Sequence, residues 1–154
     1  MAKEIERKFL LKNDAWRGLG AGEKYRQGYL STAKTATVRV RIIDHRAYLT
    51  IKGLSSGASR SEYEYSIPYA DAAEIVEELC ERPLIEKTRY RISFNNSLWE
   101  VDEFEGANQG LLLAEIELQS EDQDFVKPDW IGDEVTGDPR YYNANLVKKP
   151  FSTW

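Results

Sequence analysis

The sequence has very few of the side chains that bind soft metals or form disulfides. Of its 154 residues, one is cysteine and one is histidine. A single cysteine cannot form an internal disulfide, and these two side chains are too few for a structural zinc site. Any metal ion must therefore be bound through oxygen atoms.

Long apolar segments and an excess of basic residues are also missing. No stretch approaches ~18 consecutive apolar residues, and Met1 to Glu4 lead directly into a charged strand pattern instead of an apolar signal region. We therefore expect a cytoplasmic protein without a membrane partner. The 26 acidic residues outnumber the 21 basic ones, for a formal charge of −5. Such a balance opposes a broad polyanion-binding surface, so we expect no nucleic-acid partner.

The rest of the composition is typical of one folded domain. A length of 154 residues fits a single core, and we assign residues 1–154 to one domain. Hydrophobic residues make up 42% of the chain and aromatic residues 12%, which is too rich for a disordered segment.

Apolar and polar side chains alternate in eight separate runs, a pattern that predicts antiparallel strands. The runs cover residues 3–11, 23–31, 37–43, 47–53, 60–68, 84–94, 97–104 and 111–119. Turn-type sequences at 44–46 and 95–97 join two pairs of neighbouring runs. We therefore predict a mainly β fold.

Helical signals are fewer. A helix is predicted over about 71–82, from the capping residue Asp71 to the stop at Pro83. A shorter helix is predicted to begin at Asp138, which is followed by a proline, and a weaker candidate covers residues 14–19.

The polar faces of the strands carry charges that are sorted by sign. Residues i and i+2 of a strand share a face, about 6.5 to 7 Å apart. At that spacing the acidic side chains are Glu4, Glu6, Glu62, Glu64, Glu100, Asp102, Glu115 and Glu117, and the basic ones are Lys8, Arg39, Arg41, Lys52, Lys87, Arg89 and Arg91. A solvated face tends to intersperse acids with bases, because like charges repel. Sorting over seven strands indicates a ligand that needs both signs.

Two arrangements accommodate such rows: the solvated faces of an ordinary amphipathic sheet, or the interior of a closed barrel. An eight-stranded barrel is just wide enough inside for side chains or one small ligand. Carboxylate pairs suit Mg²⁺ or Mn²⁺, while arginine and lysine suit phosphate oxygens. A metal-bound polyphosphate needs both. We therefore expect the charged rows inside and the apolar rows outside, covered by a few helices and the C-terminal segment.

The segment Glu4-Ile5-Glu6-Arg7-Lys8 matches the E-x-E-x-K signature that opens the CYTH proteins, or triphosphate tunnel metalloenzymes. The further matches, in chain order, are Arg39-x-Arg41, Thr50-x-Lys52, Arg60 before Glu62-x-Glu64, Lys87-x-Arg89, Glu100-x-Asp102 and Glu115-x-Glu117. The chain thus resembles this superfamily of class IV adenylate cyclases and thiamine triphosphatases over nearly its whole length, and among its members it looks closest to the bacterial inorganic triphosphatases. The resemblance implies a closed eight-stranded antiparallel β-barrel with a charged tunnel.

The resemblance also implies an activity, a cofactor and roles for the charged residues. The activity is metal-dependent hydrolysis of a small triphosphate, and the compact chain favours inorganic tripolyphosphate, cleaved to diphosphate and phosphate. The implied cofactor is Mg²⁺ or Mn²⁺. The metal-site candidates are Glu4, Glu6, Glu62, Glu64, Glu100, Asp102, Glu115 and Glu117. The substrate-binding candidates are Lys8, Arg39, Arg41, Lys52, Arg60, Lys87 and Arg89. The catalytic candidates are Lys8, Glu6, Glu115 and Glu117.

Several alternatives stay open at this point. The same tunnel suits an adenylate cyclase, in which the ribose 3′-hydroxyl attacks the α-phosphate of ATP, or a non-catalytic module that binds polyphosphate or nucleotide. The intact acidic set speaks against the module. Tyr29 either packs or stacks on an organic group, and packing is favoured. The tail from Asp138 to Asn143 closes one tunnel opening, covers the outside of the barrel, or does both. Trp154, if exposed, leaves a homodimer open.

Overall fold

The computed structural model describes residues 3–154, so Met1 and Ala2 of the predicted domain lie outside the described residues. Its strands are β1 (Lys3–Leu11), β2 (Gly22–Ala33), β3 (Ala36–Ile43), β4 (Arg46–Gly53), β5 (Ser59–Ser66), β6 (Ile85–Phe94), β7 (Ser97–Phe104), β8 (Leu112–Glu117) and β9 (Ile131–Glu134). Its α-helices are α1 (Tyr69–Glu78) and α2 (Asn143–Lys148). Within these residues, no helix is long and apolar enough to cross a lipid bilayer.

Eight of the strands close into an antiparallel barrel. They pair in the order β5-β4-β3-β2-β6-β7-β8-β1, and β1 then pairs with β5, where Glu4 lies opposite Arg60. The predicted eight-stranded barrel is therefore confirmed. The ninth strand, β9, pairs with Phe9 and Leu11 of β1, beyond the residues of β1 that pair with β5. At four residues, β9 is too short to show an alternating pattern in the sequence.

Two of the three predicted helices begin or end elsewhere than expected. Helix α1 starts at Tyr69 and ends at Glu78, so Asp71 lies in its first turn, and Pro68 takes the capping position. The chain therefore leaves the helix before it reaches Pro83. Asp138 does act as a cap, since its carboxylate accepts a hydrogen bond from the Arg140 backbone N–H. The element that it caps is a short 3₁₀ turn and not the predicted α-helix. The α-helix itself begins five residues later.

The helix predicted over residues 14–19 is wrong. The segment forms turns, in which the backbone N–H of Arg17 donates to Asp14 and that of Leu19 donates to Trp16. Gly18 adopts a φ of 82°, which an L side chain rarely takes and which interrupts a right-handed helix. These turns place Trp16 against the outside of the barrel, where it is 1% exposed.

Apolar side chains cover the outside of the barrel in two clusters. One joins Phe9, Trp99 and Ile116 of the strands to Trp16 and Trp130. The other packs Ala72 and Val76 of α1 on the outer face of β3 and β4. Because side chains alternate along a strand, this arrangement turns the charged rows inward.

A third apolar cluster fills one end of the barrel interior. Tyr29, Ile85, Phe104 and Leu113 continue the inward rows of their strands, and Leu146 of α2 packs against them. The tail therefore packs on inward-facing side chains at one end, which agrees with the first of the two predicted arrangements.

Candidate active site

A cavity of about 480 Å³ lies inside the barrel and is lined by the charged rows. Fourteen of the fifteen predicted site residues line this cavity: Glu4, Glu6, Lys8, Arg39, Arg41, Lys52, Arg60, Glu62, Glu64, Lys87, Arg89, Glu100, Glu115 and Glu117. Arg91 and Tyr29 line it as well. Side chains that are more than 100 residues apart in sequence thus face one volume.

Asp102 is the predicted site residue that does not line the cavity. Its carboxylate is completely buried behind the basic side chains, where it accepts hydrogen bonds from Lys87 Nζ at 2.8 Å and from Arg89 Nε at 2.7 Å. Burial raises the pKa of Asp102, but Arg89 and Lys87 outweigh that effect and lower it. A buried charge of this kind needs its partners, so Asp102 orients Lys87 and Arg89 in this structure.

The carboxylates of β1, β7 and β8 lie opposite one another across the sheet. Glu6 is paired in register with Glu117, and Glu100 with Glu115. Like charges directly opposite each other destabilise a sheet. Desolvation, followed by the nearby Glu115 and Glu4 carboxylates, raises the pKa of Glu6 to about 8. This part of the wall therefore favours a bound proton or a cation.

Other carboxylates are partly compensated by lysine and arginine. Glu4 contacts Lys52 Nζ at 2.8 Å, yet burial still raises its pKa. Burial also acts to raise the pKa of Glu115, but Lys8 and Arg89, each 3.8 Å away, lower it well below its usual range. Acidic and basic rows thus meet at β1 and β8, where both could contact one ligand.

The donor chemistry of this wall fits a hard divalent cation. The side chains offer oxygen atoms only, and desolvation with Glu4 and Glu100 nearby also raises the pKa of Glu117, as expected for crowded carboxylates. Among residues 3–154, no three of these groups already converge closely enough to hold a metal ion. Carboxylates such as Glu4 and Glu115 are instead engaged by basic side chains, so a cation would compete with those ion pairs.

The basic side chains facing the acidic wall are crowded together. Burial, with Arg39 and Arg89 nearby, lowers the pKa of Arg41 to about 10. Burial likewise lowers the pKa of Lys87 to about 7, where Asp102 opposes the shift and Arg89 and Arg41 add to it. A polyanion in the cavity would relieve this repulsion. The basic rows therefore favour a ligand with several negative charges.

Arg39 is held at the side of the cavity by its neighbours. Its guanidinium donates to Thr50 Oγ1 at 3.1 Å and lies 3.7 Å from the Glu64 carboxylate. Its Nε is buried and has no hydrogen-bond partner among the described residues. An unpaired buried donor is costly, and an anionic ligand would satisfy it.

Lys8, Lys52 and Arg60 occupy different surroundings. Burial acts to lower the pKa of Lys8, but Glu115 and Glu6 outweigh it and raise the pKa, so Lys8 carries its proton at neutral pH. Lys52 bridges Glu4 and Glu62. Arg60 donates two hydrogen bonds to the Gly53 carbonyl, which anchors the end of β4.

Two neutral side chains at this site were not predicted from the sequence. Gln27 of β2 is 0% exposed and hydrogen-bonds both Arg41 and Asn143, the first residue of α2. Asn143 also accepts from Lys87 Nζ at 2.9 Å. The only sequence signal for Gln27 is its place on the inward row of β2, two residues before Tyr29. Tyr29 itself is 5% exposed and packed in the apolar cluster.

Known proteins share this barrel and much of this sequence. The CYTH domain model matches residues 2–149, and the chain belongs to the CYTH family. An inorganic triphosphatase of Acetivibrio thermocellus is 56% identical over 154 residues, covering 100% of this chain and 99% of the relative. An inorganic triphosphatase of Nitrosomonas europaea is 40% identical over 148 residues, covering 94% and 96%.

Solved structures agree with the fold. The crystal structure of an inorganic triphosphatase is 36% identical and covers 96% of this chain and 95% of that one, with a TM-score of 0.68. Membership of the family implies a divalent metal, in agreement with the crowded carboxylates of the cavity wall.

Proposed function

We propose that the protein hydrolyses inorganic tripolyphosphate to diphosphate and phosphate inside the barrel, with Mg²⁺ or Mn²⁺ as cofactor. The observation that carries the proposal is the pairing of two repulsive walls in one cavity, opposed carboxylates on β1, β7 and β8 and crowded cations on β3 and β6. A metal-bound triphosphate neutralises both walls at once. The names of the two relatives, both inorganic triphosphatases, support the same reaction.

The carboxylates divide by position. Glu4, Glu6, Glu115 and Glu117 form the set that would hold the cation, since they share the β1–β8 wall, with Glu62, Glu64 and Glu100 at its margins. A bound divalent cation supplies Lewis-acid polarisation of a phosphoryl oxygen and a water of lowered pKa. Asp102 has a different role, because it faces Lys87 and Arg89 and not the cavity.

The basic residues bind and orient the phosphate chain. Arg39 and Arg41 of β3 and Lys87 and Arg89 of β6 present donors from two strands, and a guanidinium fork can contact two phosphate oxygens. Charge on the departing diphosphate develops against these fixed cations, which lowers the barrier of in-line attack. Lys8, held protonated by Glu115 and Glu6, acts as a donor to the phosphate chain. A protonated lysine cannot accept the proton of the attacking water.

A substrate panel tests the reaction. Purified protein is incubated with tripolyphosphate, ATP, thiamine triphosphate or diphosphate, in Mg²⁺, Mn²⁺ or chelator, while phosphate and cyclic AMP are both measured. The proposal requires phosphate release from tripolyphosphate that stops when the cation is chelated. Cyclic AMP from ATP without phosphate release would favour a cyclase, and binding without turnover in either cation would favour a non-catalytic module.

The surroundings of the protein are also part of the proposal. The single cysteine and the acidic composition fit an enzyme of the cytoplasm that takes a small triphosphate and no nucleic acid. Trp154 is 47% exposed, which fits the predicted possibility of a homodimer.

A further inference from the structure

Two amide side chains join the basic wall of the cavity to the C-terminal helix. Gln27 Oε1 accepts a hydrogen bond from Arg41 Nε at 2.8 Å, and Gln27 Nε2 donates to Asn143 Oδ1 at 3.2 Å. The same Asn143 oxygen accepts from Lys87 Nζ at 2.9 Å. The Gln27–Asn143 bridge thus runs from β3 across β2 and the start of α2 to β6.

The chemistry of the four groups permits this bridge in one orientation. Arginine is a donor only, so Arg41 must meet the Gln27 oxygen, and the remaining Gln27 nitrogen can only donate to the Asn143 oxygen. Gln27 therefore turns its oxygen to Arg41 and its nitrogen to Asn143, and Asn143 turns its oxygen to Lys87. Each amide fixes the other, and together they fix two cations.

An amide acceptor holds a cation without neutralising it. Lys87 already has one carboxylate partner, Asp102, at 2.8 Å. A polyanion in the cavity favours the protonated form of Lys87, which has three donors: one goes to Asp102 and one to Asn143, which leaves one for a phosphate oxygen. Arg41 is hydrogen-bonded to the neutral Gln27 and forms no ion pair within residues 3–154, so its charge is also kept for the ligand.

We propose that Gln27 and Asn143 are positioning residues that aim Arg41 and Lys87 at the phosphate chain while leaving their charge available. The inference rests on the proposed function. It adds that the C-terminal helix, through its first residue, takes part in substrate binding and does more than fill the end of the barrel.

The first test compares two changes at one position. Asn143→Leu removes the acceptor at similar size, and the KM for tripolyphosphate should rise about tenfold, the effect of losing a hydrogen bond to a charged group, with a smaller change in kcat. Asn143→Asp keeps size and acceptor but adds a negative charge, and its KM should rise at least as much. Because Asn143 lines the cavity, the added charge of the aspartate variant repels the polyanion in either case, so the leucine variant decides: a merely structural role would leave its KM at the wild-type value.

The matched control is Asn145→Leu, two residues further along α2. Asn145 lines the same cavity, but its amide donates to the Pro139 carbonyl inside the tail and hydrogen-bonds neither Arg41 nor Lys87, so it reports the effect of a leucine in the lining alone. Its change in KM should be much smaller than that of Asn143→Leu. Equal changes in the two leucine variants would overturn the inference, because damage to the tail would then account for both. Thermal unfolding of all variants verifies that each one is folded.

The bridge itself is tested by a double-mutant cycle. Gln27→Met breaks the same connection from its other end, so the change in KM of the double variant should be smaller than the product of the two single changes. If the change in KM of the double variant equals the product of the two single changes, the two residues act independently and the bridge is not the means by which they act.

Calorimetric titration with tripolyphosphate distinguishes a failure of the proposed function from a failure of the positioning role of Gln27 and Asn143. A wild-type chain that neither hydrolyses nor binds tripolyphosphate overturns the proposed function, and this inference with it. If the wild type binds tripolyphosphate without hydrolysing it, the inference is still tested, because the Kd for tripolyphosphate can be compared between the wild type and Asn143→Leu. A wild-type chain that hydrolyses tripolyphosphate, with an unchanged KM in Asn143→Leu, overturns the inference alone.

Discussion

Each charged side chain of the barrel owes its behaviour to its neighbours in the cavity more than to its residue type. Lys8 and Lys87 are both buried lysines, yet Glu115 and Glu6 raise the pKa of Lys8 against the effect of burial, while burial, Arg89 and Arg41 lower that of Lys87 to about 7. Glu6 and Glu115 differ in the same way. The site is therefore a set of coupled charges, and single changes should affect ligand binding and stability together.

Removing one negative charge from the acidic wall should abolish most activity. Glu117→Gln keeps the size of the side chain but removes a candidate cation ligand opposite Glu6, so we expect phosphate release to fall about 100-fold or more. The measurement is phosphate release from tripolyphosphate at saturating cation. Glu78→Gln on the exposed end of α1 is the matched control. Wild-type turnover in Glu117→Gln would remove this carboxylate from the metal site.

Arg39 should contribute to substrate binding through its buried guanidinium. Arg39→Ala removes a donor group that is 7% exposed and faces the cavity, and we expect the KM for tripolyphosphate to rise at least about tenfold. Arg26→Ala, which removes an arginine from ion pairs with Glu77 and Glu86, provides the control. Unchanged rates at all substrate concentrations in Arg39→Ala would contradict its placement in the binding wall.

The raised pKa of Glu6 predicts how stability depends on pH without added cation. Because its pKa is about 8 in the folded protein and 4.5 ordinarily, the folded state keeps a proton that the unfolded state loses. Its contribution to the free energy of unfolding is complete below about pH 4.5 and is lost as the pH rises towards 8. From pH 5 to 8 the wild type should thus lose stability relative to Glu6→Gln, on the order of a few kcal/mol.

Urea unfolding at several pH values measures this difference. Parallel profiles for the two proteins would show that Glu6 titrates normally.

The charged residues themselves were predictable, since their spacing of two follows from strand geometry, but their pKa values were not. Asp102 shows why: it follows the same i, i+2 spacing as Glu100, but its burial between Lys87 and Arg89 depends on the register between β6 and β7.

The structural elements divide into those with a clear sequence period and those fixed by tertiary contacts. Strand β7 begins and ends at the predicted residues, because its alternating run lies between the turn residues Asn95 and Asn96 and Gly106. The segment 14–19 contains helix-forming residues, but Gly18 and the burial of Trp16 decide its structure. The contact of Asn143 with Gln27 links residues 116 apart and has no periodic signal.

Helix α2 should contribute stability through its buried face. Leu146→Ala truncates a side chain that is 0% exposed in the apolar cluster at the barrel end, and we expect the free energy of unfolding to fall by about 2 to 5 kcal/mol. Leu98→Ala on β7, where the leucine is 48% exposed, should change it by less than about 0.5 kcal/mol. Chemical denaturation checks both, and equal effects would mean that the tail does not pack as described.

At the scale of the whole molecule, the barrel is inverted relative to an ordinary amphipathic sheet. Trp99, Phe9 and Ile116 lie outside under the covering segments, and the charged rows lie inside. The sorting of charges by sign along the strands was enough to predict this inversion, because a solvated face does not require its acidic and basic side chains to be sorted. The depth of the cavity, the apolar filling at one end and the pairing of β9 depend on how the tail and loops pack, which local patterns do not encode.

The proposed function requires that the two charged walls bind one ligand between them. A crystal structure of the protein with tripolyphosphate and Mn²⁺ tests it most directly. We expect the phosphate chain in the interior cavity, in contact with Arg39, Arg41 and Lys87, and anomalous scattering from Mn²⁺ beside Glu6 and Glu117. Tripolyphosphate bound only on the outer surface, with both walls still paired to each other across an unfilled interior, would contradict the claim.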